Sequence, residues 1–274
     1  MKRNIRNLRS NREIEAMRPA GLAVYNALQI ATKLARPGVT TGQIDAAIAE
    51  HFKRLRADPL FLNYPNSTVG KPPFPGVTCI SVNDEVVHGI PGARVLEEGD
   101  VVSIDTGCRL GGWCGDSAVT LPIGQIEPEV TQLLDVTRGV LQLAIDLMGV
   151  KAWWSEVAAE MAKYVRDHGF YVVENFVGHG IGRQMHEEPQ VPNFVSQQLK
   201  RSGDFRLEPG LVIAVEPMVN FGTKKVLPCS DHWTQTTGDG KPSAHFEHTI
   251  AVTEKGIRVL TAPPTAEELE AAAR

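Results

Sequence analysis

Four acids and three histidines stand where this sequence could do chemistry. Asp105 ends the apolar run Val101-Val102-Ser103-Ile104, and Glu216 ends Val212-Ile213-Ala214-Val215. Asp116 and Glu247 follow them at matched places further along. A carboxylate at the end of an apolar run is costly to bury unless it is paired or holds a cation. Arg94 and Arg109 lie near Asp105 in sequence, so one acid alone could meet an arginine. Four acids held ionised in one cleft would repel strongly. Divalent cations remove that repulsion, and an oxygen-rich donor set with one imidazole, His179, suits borderline metals such as Mn, Fe(II), Co or Zn. Paired ions of this kind activate a water and polarise a substrate oxygen. His88 and His186 can donate hydrogen bonds to a substrate or move protons near neutral pH. Read singly, each of these histidines would pass for a loop residue. His245 and His248 flank Glu247; His248 is expected on the opposite strand face, and neither is counted in the site.

These residues fall on a pattern that the chain states twice. Leu96-Glu97-Glu98-Gly99-Asp100-Val101-Val102-Ser103-Ile104-Asp105 aligns without a gap with Leu207-Glu208-Pro209-Gly210-Leu211-Val212-Ile213-Ala214-Val215-Glu216. Val86-Val87-His88-Gly89-Ile90 is echoed by Val177-Gly178-His179-Gly180-Ile181. Such repetition predicts two similar halves facing each other, with the acids and histidines at the seam.

The elements that must carry them follow in order. Ile14, Met17, Ala20, Val24, Leu28 and Ala31 are spaced for a helix that Pro37-Gly38 ends. Thr40 or Thr41 caps a second helix with Ile44, Ile48 and Phe52 on one face. Five prolines make residues 58–78 an irregular excursion. Residues 101–106 and 115–121 read as an antiparallel hairpin that brings Asp105 and Asp116 together. The second half repeats the order: a helix from Pro128, another after Trp153-Trp154-Ser155, then strands at 213–216 and about 244–252. No low-complexity linker separates the halves. The expected organisation is a loose basic arm at 1–10, one catalytic domain at 11–262 with pseudo-halves of about 11–124 and 125–262, and a tail at 263–274.

Composition bounds the function. Of 274 residues, 42% are apolar and 22% charged, which is ordinary for a globular chain with a sizeable core. A net charge of -4 provides no basic field for nucleic acid. No apolar run is long enough to span a bilayer, and no apolar h-region follows the basic start. Cys79, Cys108, Cys114 and Cys229 lack CxxC spacing and read as free thiols, which predicts a cytoplasmic location. The run Gly178–Gly182 lacks the spacing of a nucleotide loop, and no Gly-x-Ser-x-Gly elbow occurs.

The same motifs resemble type I methionine aminopeptidases (peptidase family M24, subfamily A). The matching stretches are Ser81-Val82-Asn83-Asp84-Glu85-Val86-Val87-His88-Gly89-Ile90-Pro91, Ile104-Asp105, Gly115-Asp116-Ser117, Gly178–Pro189, Val215-Glu216-Pro217-Met218 and Phe246-Glu247-His248-Thr249. They run in order over about residues 10 to 262. The resemblance implies an α+β "pita-bread" fold, two pseudo-symmetric halves whose antiparallel sheet is covered by helices. It implies two divalent ions (Co, Mn, Fe(II), Zn or Ni) held by Asp105, Asp116, His179, Glu216 and Glu247, with Asp116 and Glu247 bridging. It makes His88, His186 and Glu216 catalytic and gives the methionine pocket Phe74, Cys79 and Trp233. The implied activity is removal of the initiator methionine from nascent chains by a metal-bridging water, with a small second residue preferred. The implied partners are peptides with N-terminal methionine and a transient ribosome contact, with no membrane; a fused pseudo-dimer that buries its own seam reads as a monomer. Where that family has Gly-Tyr-x-Gly-Phe/Tyr-Pro, this chain has Gly70-Lys71-Pro72-Pro73-Phe74-Pro75, with extra residues upstream and no tyrosine. A proline-directed peptidase or a non-catalytic peptide or RNA binder of the same fold are the alternatives.

Overall fold

A computed structural model of the chain describes residues 7–272. Helix α1 (Asn11–Leu34) opens on a capping box: Ser10 accepts from the Glu13 amide, and the Glu13 carboxylate accepts from the Ser10 amide. Helix α2 (Thr41–Leu55) opens on a second one, Thr40 with Gln43. Their buried stripes, Val24, Leu28 and Ala31 on α1 and Ile44, Ile48 and Phe52 on α2, meet in one apolar cluster against Ile80, Val102 and Ile104.

The sheet under them is antiparallel. Strand β1 (Asp58–Pro59), β2 (Cys79–Val82) and β5 (Trp113–Pro122) all pair with the long strand β4 (Val101–Leu110). The β4–β5 register sets Asp105 opposite Ala118 and Asp116 opposite Gly107. Strand β3 (Glu85–Val87) leads to His88 and joins a small sheet with β12 (Gln235–Thr237) and β11 (Val226–Pro228).

The second half repeats this arrangement. Helices α3 (Pro128–Met148) and α4 (Trp154–Asp167) pack through Leu133, Val140, Val157 and Met161 onto the sheets beneath. The larger sheet has the order β15 (Gly256–Val259), β14 (His248–Thr253), β9 (Val212–Val215), β7 (Gly178–Gly180), β8 (Glu187–Val191). A three-stranded sheet pairs β13 (Ser243–His245) with β10 (Met218–Asn220) and β10 with β6 (Tyr171–Val172). The repeated sequence adopts a repeated turn: Gly99 and Gly210 stand at φ +93° and +98°, a conformation only glycine takes without strain, and each lets its chain enter the following strand.

Two expectations are revised. The strand expected over 244–252 is two strands broken at Phe246-Glu247, because Pro217 on the facing strand has no N–H to continue the ladder. Both strands therefore bend at their acids, Glu216 and Glu247. Residues 7–10 of the expected loose arm are docked: the Arg9 amide donates to Gly210 O at 2.7 Å and its guanidinium pairs with Glu187. Residues 1–6 lie outside those described. The tail carries a short helix, α5 (Ala266–Ala272), tied to α1 through Arg18 and Glu268. Among the described residues, no helix is long and apolar enough to cross a membrane.

Candidate metal centre

The halves meet where β5 runs beside residues 245–249. Glu247 N donates to Ala118 O at 3.0 Å, Asp116 N donates to Thr249 Oγ1 at 3.1 Å, and Thr249 Oγ1 donates to Asp116 O at 2.8 Å. His245 N donates to Thr120 Oγ1 at 2.8 Å, and Thr120 Oγ1 donates to His245 O at 2.7 Å. This stitching sets Asp116 and Glu247 side by side, although the chain separates them widely. Asp105 arrives from β4 and Glu216 from the bend after β9, and all four acids line one cavity of about 310 Å³.

His179 enters the cavity from β7. Gly178 and Gly180 flank it because their backbones are pressed on neighbours: an added Cβ would lie 2.3 Å from Ala214 O at Gly178 and 2.3 Å from Glu188 O at Gly180. His179 Nδ1 lies 3.0 Å from Gly180 O. A carbonyl only accepts, so Nδ1 carries the proton and Nε2 presents a lone pair. That lone pair faces Glu216 Oε1 at 3.7 Å and Asp116 Oδ2 at 4.0 Å. Burial, with His186 nearby, holds the ring neutral by pushing its pKa down to about 3. A lone pair aimed at carboxylates is repulsive unless a cation lies between them.

The acids carry the same signature. Donor atoms of Asp116, His179 and Glu247 lie within 4.8 Å of one another, and all three residues are buried. Asp105 Oδ1, Asp116 Oδ1 and Glu247 Oε1 are buried with no hydrogen-bond partner among the described residues. Arginine does not answer them: Arg94 pairs with Glu85, and Arg109 reaches Gln184. Burial pushes Asp116 up to about 7. Burial, then the neighbouring acids, raises Asp105, Glu216 and Glu247 well above the usual carboxylate range. Oxygen donors without partners, one imidazole lone pair and uncompensated negative charge fit divalent metal ions.

The rest of the cavity is a mouth and an apolar pocket. His88, at φ +61°, and His186 both line it, as do Phe74, Cys79 and Trp233. Cys79 lies opposite Asp105 in the β2–β4 register. Phe74 and Trp233 pack edge to face at 5.3 Å, and Trp233 Nε1 donates to Pro72 O at 3.0 Å. The ring of His186 stands edge-on to that of His179 at 4.3 Å. His248 turns away to Thr261 Oγ1 at 2.9 Å, as its strand position predicts.

Tyr64 and His245 line the cavity without having been expected there. Tyr64 stands beside Phe74, whose own stretch Gly70–Pro75 has no tyrosine. Asn63 N donates to Phe74 O at 2.8 Å and Phe74 N donates to Tyr64 O at 2.9 Å, so residues 65–73 loop out and Tyr64 meets Phe74. The Tyr64 hydroxyl lies 2.8 Å from His186 Nδ1. His245 is the second: it lines the cavity, is buried, and its Nε2 lies 3.8 Å from Glu216 Oε2. Its place two residues before Glu247, on the same strand face, was the available signal.

Comparison with known proteins follows the same lines. The profile of metallopeptidase family M24 matches residues 15–254. The chain is 42% identical over 250 residues to methionine aminopeptidase 1 of Bacillus subtilis, covering 91% of this chain and 96% of that protein. It is 41% identical over 262 residues to the methionine aminopeptidase of Aquifex aeolicus, covering 93% and 98%. The crystal structure of methionine aminopeptidase from Thermotoga maritima superposes with a TM-score of 0.87 at 39% identity, over 94% of this chain and all of that one, 100%. Prolidase from Pyrococcus furiosus shares the fold, with a TM-score of 0.73 at 18% identity over 95% of this chain and 67% of that one.

Proposed function

The chain belongs to metallopeptidase family M24, and from that premise we propose that it removes N-terminal methionine from peptides and nascent chains by hydrolysis. The observation that carries the reading is the cluster of buried carboxylates around the His179 lone pair, with one oxygen each of Asp105, Asp116 and Glu247 unpartnered among the described residues, set at the foot of an apolar pocket. The relatives at about 40% identity are methionine aminopeptidases over nearly their whole lengths, which favours this substrate over Xaa-Pro. The fold is that shared by these enzymes and the prolidases, two pseudo-symmetric α+β halves.

Asp105, Asp116, His179, Glu216 and Glu247 would hold two divalent ions, drawn from Mn, Fe(II), Co, Ni or Zn. Bound there, such ions supply Lewis-acid polarisation of the scissile carbonyl and a water acidified enough to attack near neutral pH. Glu216 accepts the proton of the attacking water on its carboxylate. His186 donates to the developing oxyanion, and His88, on the cavity's opposite repeat, steers a proton to the leaving amine. Burial, with His186 close by, pushes His88 down to about 4, which supports a neutral imidazole in that role. Phe74, Cys79, Tyr64 and Trp233 take the flexible, unbranched methionine side chain. A preference for a small second residue belongs to the same reading.

Residues 11–262 act as one catalytic unit in this proposal, which the cluster joining Ile14 and Met17 of α1 to Ile181, Val212 and Ala251 of the other half supports. Monomeric function, transient contact with the ribosome and a reducing, cytoplasmic setting belong to the same reading; four free thiols are consistent with the last.

The experiment is turnover of a Met-Ala-Ser peptide by metal-stripped protein, repeated after adding each metal anaerobically. Activity restored by at least one ion, with none on Xaa-Pro peptides, is expected. Silence with every ion defeats the proposal. Glu216→Gln and His179→Ala should each abolish turnover in a folded chain.

A further inference from the structure

His245 is fixed by its backbone and left open at its side chain. Its N and O both bond Thr120 Oγ1, at 2.8 Å and 2.7 Å, and it pairs with Met218 in the β10–β13 register. Phe246 points the other way into the apolar core, so His245 shares the cavity face with Glu247. The residue is 2% exposed, yet its Nε2 has no hydrogen-bond partner among the described residues. An orphaned buried nitrogen on a rigid strand is costly and calls for a partner that function brings.

His245 Nε2 faces the Glu216 carboxylate, with Oε2 at 3.8 Å. The two carboxylate oxygens are bracketed by two imidazoles: Oε1 lies 3.7 Å from His179 Nε2 and Oε2 faces His245 Nε2. The two rings are not equivalent. His179 must direct a lone pair inward, since its Nδ1 proton goes to Gly180 O. His245 lies outside the tight donor cluster of Asp116, His179 and Glu247. A carboxylate oxygen only accepts, so the compatible face of His245 toward it is Nε2–H. Glu216 is itself anchored by its backbone, whose O accepts from Asn193 Nδ2 at 3.0 Å, leaving the carboxylate as the part free to turn. Closing 3.8 Å to hydrogen-bond range takes a shift of roughly 1 Å.

We propose that His245 is a positioning residue that donates Nε2–H to Glu216 Oε2, leaving Oε1 directed toward His179 Nε2. The inference rests on the metal-binding role proposed above for Glu216. Outer hydrogen bonds of this kind orient a ligating carboxylate, and their loss weakens metal binding about 10–100-fold.

The test is calorimetric titration of Mn²⁺ into the metal-free full chain, for the wild type, H245L and H245Q. Leucine keeps the volume without a donor; the glutamine amide can donate to the same oxygen. H245L should weaken at least one binding event about 10–100-fold, and H245Q should bind within a few-fold of wild type. H245L binding both ions like wild type overturns the proposal, and so does H245Q falling as far as H245L. Should H245L not fold, a crystal structure of the Mn²⁺-loaded wild type decides: Nε2–Oε2 within hydrogen-bond range supports the proposal, and a separation that stays at its present value overturns it. A wild type that takes up no ion overturns the metal-centre reading itself, and this inference with it.

Discussion

Tyr64 shows how one hydroxyl can set a catalytic geometry. It lies 2.8 Å from His186 Nδ1, and its ring stands edge-on to the imidazole at 5.5 Å. Burial raises its pKa, so it remains a neutral phenol that can donate. A donor on Nδ1 leaves the other ring nitrogen, Nε2, as the protonated one, able to donate to substrate. Tyr64→Phe should keep the apolar wall and lose this control. One hydrogen bond is worth about 1 kcal/mol, so kcat/KM on Met-Ala-Ser should fall roughly 5-fold. Steady-state kinetics beside an unchanged unfolding curve would check it; unchanged kcat/KM would leave Tyr64 as packing only.

At the scale of elements, the turn that presents His186 is held from outside by the segment before α1. The Glu187 carboxylate accepts from the Arg183 amide at 2.8 Å and the Gln184 amide at 3.1 Å, and pairs with Arg9. Arg183 stacks 3.6 Å from the Trp113 ring centroid, with Arg9 5.3 Å from the same ring. Arg9 and Glu187 are each 10% exposed at the side chain. Breaking a fully buried pair costs about 3–5 kcal/mol, and this rim position should cost on the order of 2–3 kcal/mol. For a chain of this size that corresponds to a fall of roughly 5–10 °C in melting temperature for Arg9→Ala. Circular dichroism melts would measure it, and a melting temperature within a degree of wild type would show the segment to be idle. Turnover should fall as well, since the turn carries His186.

Over the whole molecule, two halves are joined through a site that repels itself. Burial raises Asp116 to about 7, and burial, then neighbouring acids with Asp116 first, raises Asp105, Glu216 and Glu247 well above the usual carboxylate range. Raised carboxylates bind more protons folded than unfolded, so stability falls as pH rises from the unfolded value near 4 through about 7. The metal-free chain should therefore melt lower at pH 8 than at pH 6. A divalent ion at 100 times its dissociation constant should add about 2.7 kcal/mol and flatten that slope, because it holds the acids ionised. Scanning calorimetry across this range, with and without Mn²⁺, tests both parts. A metal-free melting temperature that climbs from pH 6 to pH 8 would contradict the electrostatic account.

Much of this was written in local pattern. The stripes of α1 and α2, the β4–β5 hairpin and the doubled Leu-Glu-x-Gly motif all depend on neighbours a few residues apart, so the sequence alone determined them, and its pattern singled out the acids and His179 as candidates. What it could not state is which surfaces meet. Period-2 alternation says that His245 shares a face with Glu247, but only the packing of β5 along 245–249 turns that face toward Glu216. Tyr64 reaches the pocket because Phe74 pinches out the loop between them, and Arg9 is buried because Glu187 lies on a turn far along the chain. Backbone periodicity fixes a side chain's direction relative to its own strand or helix. Its neighbour is fixed only when non-local segments dock, and that step belongs to the tertiary structure.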